Sequence, residues 1–530
     1  MSEGNTLSTA SPNGNELRLF WASFFTLIAA GIGFSARGGI LTDWGAQFGF
    51  TQTDLGGVTG FALVGFGFTI IFFSFFADKV GYGPLMAIAF FLHASSVLVT
   101  LAATPVFAAF GKQACYYCLA SGGLLFSLAN GTCEAVINPL TATLYPKNKT
   151  HWLNILHAGW PGGLVLGTLL ALMFDAMGGV RWEIKVGMYL LPTLLYGGMM
   201  FGQRFPHSEA RVAGVGIGTM LLEFASPILM LLLLLHAMVG YVELGTDSWI
   251  QNITERILGT AMGAKMVFIW TSALMFALRF FAGPIVHKIS PLGLLFVTAV
   301  LGAIGLTLLG SAGTGIACIL AATIYGVGKT FFWPTMLGVV SERFPRGGAL
   351  TLGAIGGVGM LSAGFFGGPG IGYKQDYFAS SHLKETAPQA YERYKSADPN
   401  SFLIFPKIAG LDGTKVATVN DSGKQIAADL KILEKSGRKL SDDKNLEKLT
   451  TWWGAAKPYA AQDKNPVNEA GLFGGKMALR WTALVPTMMA LGYLILIFYF
   501  KSRGGYKAEV LVGHAAKDEA FTGGVEGPVE

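Results

Sequence analysis

Twelve apolar runs in this chain are each long enough to cross about 30 Å of hydrocarbon. They fall near residues 18–42, 54–77, 85–103, 112–145, 151–174, 184–202, 225–246, 259–282, 291–311, 314–341, 348–371 and 477–500. Over 530 residues, 52% hydrophobic and only 13% charged content with a mean hydropathy of +0.50 excludes a water-soluble globule. The net charge of +6 sits mostly in short loops, where it orients helices, so no nucleic-acid partner is implied. All four cysteines (Cys115, Cys118, Cys133, Cys318) lie in apolar segments and are expected to pack. Cys115-x-x-Cys118 has no further His or Cys nearby to make a metal site, and neither metal nor cofactor is expected.

Residues 1–17 form a polar tail without the cationic start and cleavage site of a signal peptide, so the first run is expected to stay in the mature chain. Lys79, Lys147, Lys149, Arg204, Arg211, Lys288, Arg343, Arg346, Lys501, Arg503 and Lys507 fall on one side of the predicted topology. The opposite short loops carry chiefly Arg181, Lys185 and Arg256, so both termini are expected in the cytoplasm of a multi-pass protein of the cell membrane. The expected order is a helical bundle at 18–202, a cytoplasmic linker at 203–224, a second bundle at 225–371, an extracytoplasmic insert at 372–476, a last helix at 477–500 and a tail at 501–530. In the insert, Leu411-Asp412-Gly413 and Asp421-Ser422-Gly423 read as turns beside short β-like runs, and Ile426 to Thr451 has helical spacing, predicting a small α+β unit.

The runs divide into two sets of six. Ser74 to Gly81, with Asp78 and Lys79, follows the second run, and Gly283 to Lys288, with His287, follows the eighth. Tyr145-Pro146 precedes a run with Gly159, Gly163 and Gly167, while Phe344-Pro345 precedes one with Gly353, Gly357, Gly364 and Gly368. Glycines four apart allow close helix approach in lipid, so runs five and eleven should have matching packing roles. Such a parallel repeat places a substrate site at the midplane between halves.

Polar residues deep in these runs are the candidate site. Asn130, Glu134 and Asn138 recur every fourth position, with Pro139 breaking the backbone beside them. Glu134 lies about 18 Å from the helix end at 1.5 Å per residue, so it must face a bundle interior or a wet cavity. Superposing the repeats puts Lys329, five residues before Pro334, where Glu134 stands five before Pro139, which predicts an ion pair across the halves. Arg37 before Thr42-Asp43-Trp44 and Glu243 before Thr246-Asp247-Ser248-Trp249 repeat the pattern in runs one and seven. Four such charges would cost on the order of 10 kcal/mol in lipid unless paired or hydrated. Asn154, His157 and Trp160 offer hydrogen bonds and a stacking face, the chemistry a sugar site needs. Tyr325, Lys329 and Trp333 form a stripe expected to face run four, Arg279 is expected to be a gate or loop anchor, and His93 and His236 read as satisfied core histidines. Gly326 to Thr330 imitates a phosphate-binding loop, but Thr323 occupies its first glycine position and no strand precedes it.

Two sets of six helices with an Asp78-Lys79-x-Gly81 loop resemble the major facilitator superfamily, whose runs one, four, seven and ten line a central cavity. Ser74 replaces the leading glycine of that family's loop motif, and the closing basic pair is missing. Glu134-x-x-x-Asn138-Pro139 with Asn154-x-x-His157-x-x-Trp160 looks like the fucose:proton symporter group, and Tyr241-Val242-Glu243 with Ser248-Trp249 is similar to its seventh run. The resemblance implies a twelve-helix all-α integral membrane fold and a proton-linked role for Glu134. That group carries an aspartate in run one, where this chain has Arg37. The expected function is a proton-coupled carrier of a small polar solute, a sugar or sugar derivative, with Glu243 as a further proton site. Asp78, Lys79, Gly81, Arg279, His287 and Lys288 are the expected gating residues. Partners are a small-molecule substrate and the bilayer, with the chain monomeric. The alternatives are an anion carrier using Arg37, Arg279 and Lys329, and a non-transporting sensor; an enzyme is not expected, because metal and nucleophile motifs are missing.

Overall fold

The computed structural model describes residues 14–48, 50, 58, 62–177, 180–397, 399, 401–435, 437, 439–509 and 511. The tail before residue 14, the start of the second apolar run and most of the C-terminal tail lie outside them. Hydrocarbon offers no hydrogen-bond partner to backbone amides, so apolar runs must satisfy them internally as helices. Among the described residues there is no strand, and nine helices are long and apolar enough to cross a membrane.

The first half contains α1 (Gly14–Gly39), α2 (Ala62–Val80), α3 (Tyr82–Leu101), α4 (Ala103–Leu144), α5 (Lys149–Ala176) and α6 (Leu190–Met200). The second begins with α7 (Pro227–Leu258), which contains a π turn at Tyr241–Gly245. It continues with α8 (Ala261–Arg279), α9 (Ala282–Leu309), α10 (Gly315–Arg343, interrupted before Phe332) and α11 (Pro345–Thr386). The two halves repeat each other in detail. Gly81 after α2 has φ 95°, and Ser290, at the matching place inside α9, has φ 64°, so one left-handed residue redirects the chain in each half. Close helix contacts repeat too. A Cβ on Gly31 of α1 would lie 2.5 Å from the Trp160 carbonyl of α5, and one on Gly240 of α7 would lie 1.9 Å from the Gly359 carbonyl of α11. Helix α11 also meets α2 of the other half, where a Cβ on Gly353 would overlap the Ser74 hydroxyl. The serine that replaces the loop motif's leading glycine is thus accommodated by a glycine on its partner.

The α+β expectation for 372–476 is corrected. Helix α11 runs on past residue 371 to Thr386, followed by α12 (Pro388–Tyr394), α13 (Gly413–Asp421), α14 (Lys424–Lys435) and α15 (Lys444–Ala456). Then α16 (Ala460–Thr482) returns beside α11 and leads into α17 (Leu484–Lys501). One isolated bridge, Lys395 to Leu411, is the only β pairing among the described residues. The expected turns are helix ends: Asp412 accepts from the Thr414 and Lys415 amides as an N-cap, and Ser422, with φ 59°, terminates α13. Two helices make a stalk and four short ones a head, packed around Leu383, Tyr394, Val419 and Val467. Because α11 begins at the Asp78 end, the head lies at the opposite end.

Candidate functional site

Prolines organise the centre of the molecule. Pro161 in α5 has no N–H to offer the His157 carbonyl four residues earlier, and Pro334 in α10 leaves the Thr330 carbonyl in the same position. Arg279 of α8 fills both vacancies. Its Nη1 donates to the His157 carbonyl at 2.6 Å and its Nε to the Thr330 carbonyl at 2.7 Å. Its Nη2 donates to Glu243 Oε1 at 3.2 Å. The guanidinium is buried and ties α5 of one half to α7, α8 and α10 of the other. Arg279 is therefore not a loop anchor: two orphaned carbonyls and a carboxylate make a fully buried fork the stable arrangement.

The expected pair between Glu134 and Lys329 does not form. Lys329 binds Asp247 of α7, inside its own half, with its ammonium 5.4 Å from the Tyr325 ring. The stripe faces α7 and not α4: Tyr325 donates to the Val242 carbonyl at 2.8 Å, and Trp333 packs on His236. Since α10 packs directly on α7, the nearest acid lies there. Glu134 is buried among neutral groups. Its Oε2 accepts from Asn138 Nδ2 at 2.7 Å and lies 4.0 Å from His157 Nε2, which donates to Asn138 Oδ1 at 2.8 Å. Asn130 turns away to His93, whose other nitrogen meets the Tyr196 hydroxyl at 2.9 Å. His93 is thus a satisfied core histidine. His236 is not: neither ring nitrogen has a hydrogen-bond partner among the described residues. Arg37 donates to Ser96 at 2.8 Å and lies 3.9 Å over the Phe126 ring, with no acid paired to it among the described residues.

The halves join at the end carrying Asp78, whose carboxylate accepts from the Ala349 amide at 3.0 Å. Gly348, with φ 52°, makes room for it, while Arg211 donates to the Asp78 and Lys79 carbonyls. Lys79, His287 and Lys288 are exposed at this end. Residues not foreseen as site members complete the closure. Lys149 binds Glu209 at 2.8 Å and the Ser341 carbonyl at 3.3 Å, and Thr150 donates to buried Glu342 at 2.6 Å. Asn154, which was expected at the substrate, joins them by donating to Thr335 of α10 at 3.2 Å. The acid–base pair Glu342-Arg343 at the end of run ten was the visible signal. At the opposite end the halves part, leaving a cavity of about 550 Å³. Phe34, Ser35, Trp160 and Thr168 line one wall, with Lys185 paired to Asp175 at its rim, and Asp247, Ser248, Gln251, Lys265 and Phe268 line the other. Of the predicted substrate-binding residues, Trp160 lines this space; Asn130, Asn138, Asn154, His157, Tyr325, Lys329 and Trp333 are buried outside its lining, as is the predicted proton site Glu134, and Arg37 is not part of it either.

The sequence model of the Major Facilitator Superfamily matches residues 23–368. No curated protein matches the chain. Among solved structures, the proton:xylose symporter XylE bound to 6-bromo-6-deoxy-D-glucose is similar with a TM-score of 0.58 at 14% identity, over 71% of this chain and 91% of that one. FucP in the outward conformation gives 0.56 at 14% identity, over 68% and 93%. A bacterial homolog of the human lysosomal transporter Spinster, inward-facing and unoccupied, gives 0.57 at 14% identity, over 92% and 97%. At these identities the likeness establishes the fold, and the family match establishes membership: the chain belongs to the Major Facilitator Superfamily, an integral membrane transporter family.

Proposed function

We propose that this chain is a secondary-active carrier of a small, neutral, polar solute, a sugar or sugar derivative, working by alternating access and coupled to protons. The observation that carries this reading is the cavity between the halves, open where they part and closed by the contacts around Asp78, Thr150 and Glu342. Its walls combine aromatic faces (Phe34, Trp160, Phe268) with the hydrogen-bonding groups of Ser248, Gln251 and Asp247, which suits a hydroxyl-rich ring. Two of the three cations an anion clamp would need are already committed, Arg279 to Glu243 and two carbonyls, Lys329 to Asp247. Sugar:proton symporters among the similar folds support the same reading. Lys265 on the cavity wall, and Arg37, which lies outside the lining and lacks an acid partner among the described residues, favour the second reading, an anion carrier.

In this proposal twelve helices cross the cell membrane of a monomer. The end rich in Lys and Arg, with both termini, faces the cytoplasm, and the head and cavity mouth face outward. A thermal-shift screen of purified protein against sugars, uronates and inorganic anions separates the readings, since a ligand at 100 times its Kd stabilises by about 2.7 kcal/mol. Sugar hits with silent anions are expected, and the reverse would select the anion carrier. Glu134 is the proposed proton site. Glu134→Gln should retain counterflow at equal pH in proteoliposomes while losing uptake against a gradient; surviving uphill uptake would place the proton elsewhere.

A further inference from the structure

The head carries a turn whose residues folding does not ask for. The Phe405 amide donates to the Phe402 carbonyl at 2.9 Å, which puts Leu403 and Ile404 at the tip of a tight turn, with Leu403 at φ 51°. Such positions ordinarily hold Gly, Asn or Asp, which enter the left-handed region at little cost. Here the tip is apolar and uncovered: Leu403 is 67% exposed, Ile404 96% and Phe405 50%.

The turn's height along the molecule gives these residues a partner. The Phe402 ring sits against Gly370 of α11, where a Cβ would lie 3.0 Å from it. Tyr373 of α11 has its ring 5.7 Å from that of Phe405 and donates its hydroxyl to the Pro406 carbonyl at 2.8 Å. Phe366, an exposed residue on the apolar part of α11, is four residues before Gly370 and seven before Tyr373, about 6 and about 10 Å along the helix axis. Tyr377 on α11 and Trp481 on α16 are partly exposed nearby, with Phe378 and Trp481 stacked at 6.2 Å, and these are the residue types enriched where hydrocarbon meets headgroups. Exposed Lys407 follows at once and can reach phosphate.

We propose that the Phe402–Phe405 turn is a membrane-docking element, its apolar tip inserted at the acyl–headgroup boundary of the leaflet around α11, so that the head rests on lipid as well as on its stalk. The occupant is the bilayer, because the tip continues the lipid-facing surface of α11 at the level where that surface ends. The test uses the full-length chain in proteoliposomes with the half-buried thiol removed (Cys118→Ser) and Ile404→Cys carrying an environment-sensitive fluorophore. A phosphatidylcholine spin-labelled high on its acyl chain should quench more than about half of the emission and aqueous iodide little. The same label at Lys431→Cys on α14, in the exposed head, should show the reverse. Phe405→Cys repeats the measurement should position 404 fail to fold. Labels at 404 and 405 as open to iodide as that at 431 would overturn the proposal. So would labels shielded from both quenchers, which would mean that protein, such as a second copy of the chain, covers the turn.

Discussion

Arg279 should hold the centre together through the carbonyls freed by Pro161 and Pro334, and this can be separated from its charge. Removing the side chain strands two buried carbonyls, at about 1–3 kcal/mol each, and leaves Glu243 a lone buried charge, at about 3–5 kcal/mol. The total, roughly 5–11 kcal/mol, rivals the net stability of a whole domain, so Arg279→Ala should fail to give folded protein. Arg279→Lys is the informative change. It keeps a cation for Glu243 but loses the planar fork that reaches three acceptors together, so its cost should be the carbonyl part, roughly 2–6 kcal/mol. In a background of Pro161→Ala and Pro334→Ala, each carbonyl regains a helical N–H donor and Arg279→Lys should become much milder. The assay is thermal unfolding in detergent of the four corners of this cycle, where coupling shows as non-additivity. If Arg279→Lys lowers Tm equally in both backgrounds, the carbonyls are not what Arg279 secures.

Asp247→Asn should destabilise by about 3–5 kcal/mol, because it leaves Lys329 buried and unpaired, Lys329→Gln by less, because Asp247 faces the cavity, and the double change by less than Asp247→Asn alone; unfolding of the three variants checks this, and additivity would dissolve the pair. Replacing residues 388–459 with a short Gly/Ser linker should spare folding and uptake, because α16 stays beside α11 and the head has a core of its own around Ile426, Leu433 and Leu446; loss of uptake in well-folded protein would give the head a transport role. The Tyr506 hydroxyl donates to Glu342 at 2.8 Å, so Tyr506→Phe should weaken the closed end by about 1.5–3 kcal/mol, the range for a hydrogen bond to a charge. A Ser341→Cys probe there should then react several-fold faster with a thiol reagent, and an unchanged rate would count against the closure.

Periodicity and run length made the helices and the two-fold repeat legible, since in hydrocarbon nothing but a helix satisfies those runs. Depth alone marked Arg37, Glu134, Glu243 and Lys329 as residues needing partners, while Arg279 read as a gate or loop anchor. It could not say which, because a side chain pairs with what packs nearest, and superposing repeats says nothing about whether α10 leans on α7 or α4. Lys329 found Asp247 for that reason. The partners of Arg279 were written in the sequence: Pro161 and Pro334 each strip a donor from the residue four before, and a deep Arg is the side chain able to serve both. In the insert, Asp412 and Ser422 are correct punctuation marks, but the same residues end helices as well as strands. The Val416 and Val419 spacing was too short a run to decide between them.

The distribution of charge bears on where a coupled proton would sit. In the second half both buried cations have acids: Arg279 has Glu243, and Lys329 has Asp247. Protonating either acid would leave its cation buried and alone, at about 3–5 kcal/mol, and would loosen the ties of α7 to α8 or α10. Glu134 in the first half has no such obligation. Its neighbours, Asn138 and His157, form a neutral chain in which the amide donates to the carboxylate and the imidazole to the amide oxygen. A proton on Glu134 breaks no ion pair, and removing it strands no cation. The same comparison lowers Glu243 as a proton site: in this structure it is a strut held by Arg279, and Glu134 is a deep carboxylate whose charge can change while the Arg279–Glu243 and Lys329–Asp247 pairs stay intact.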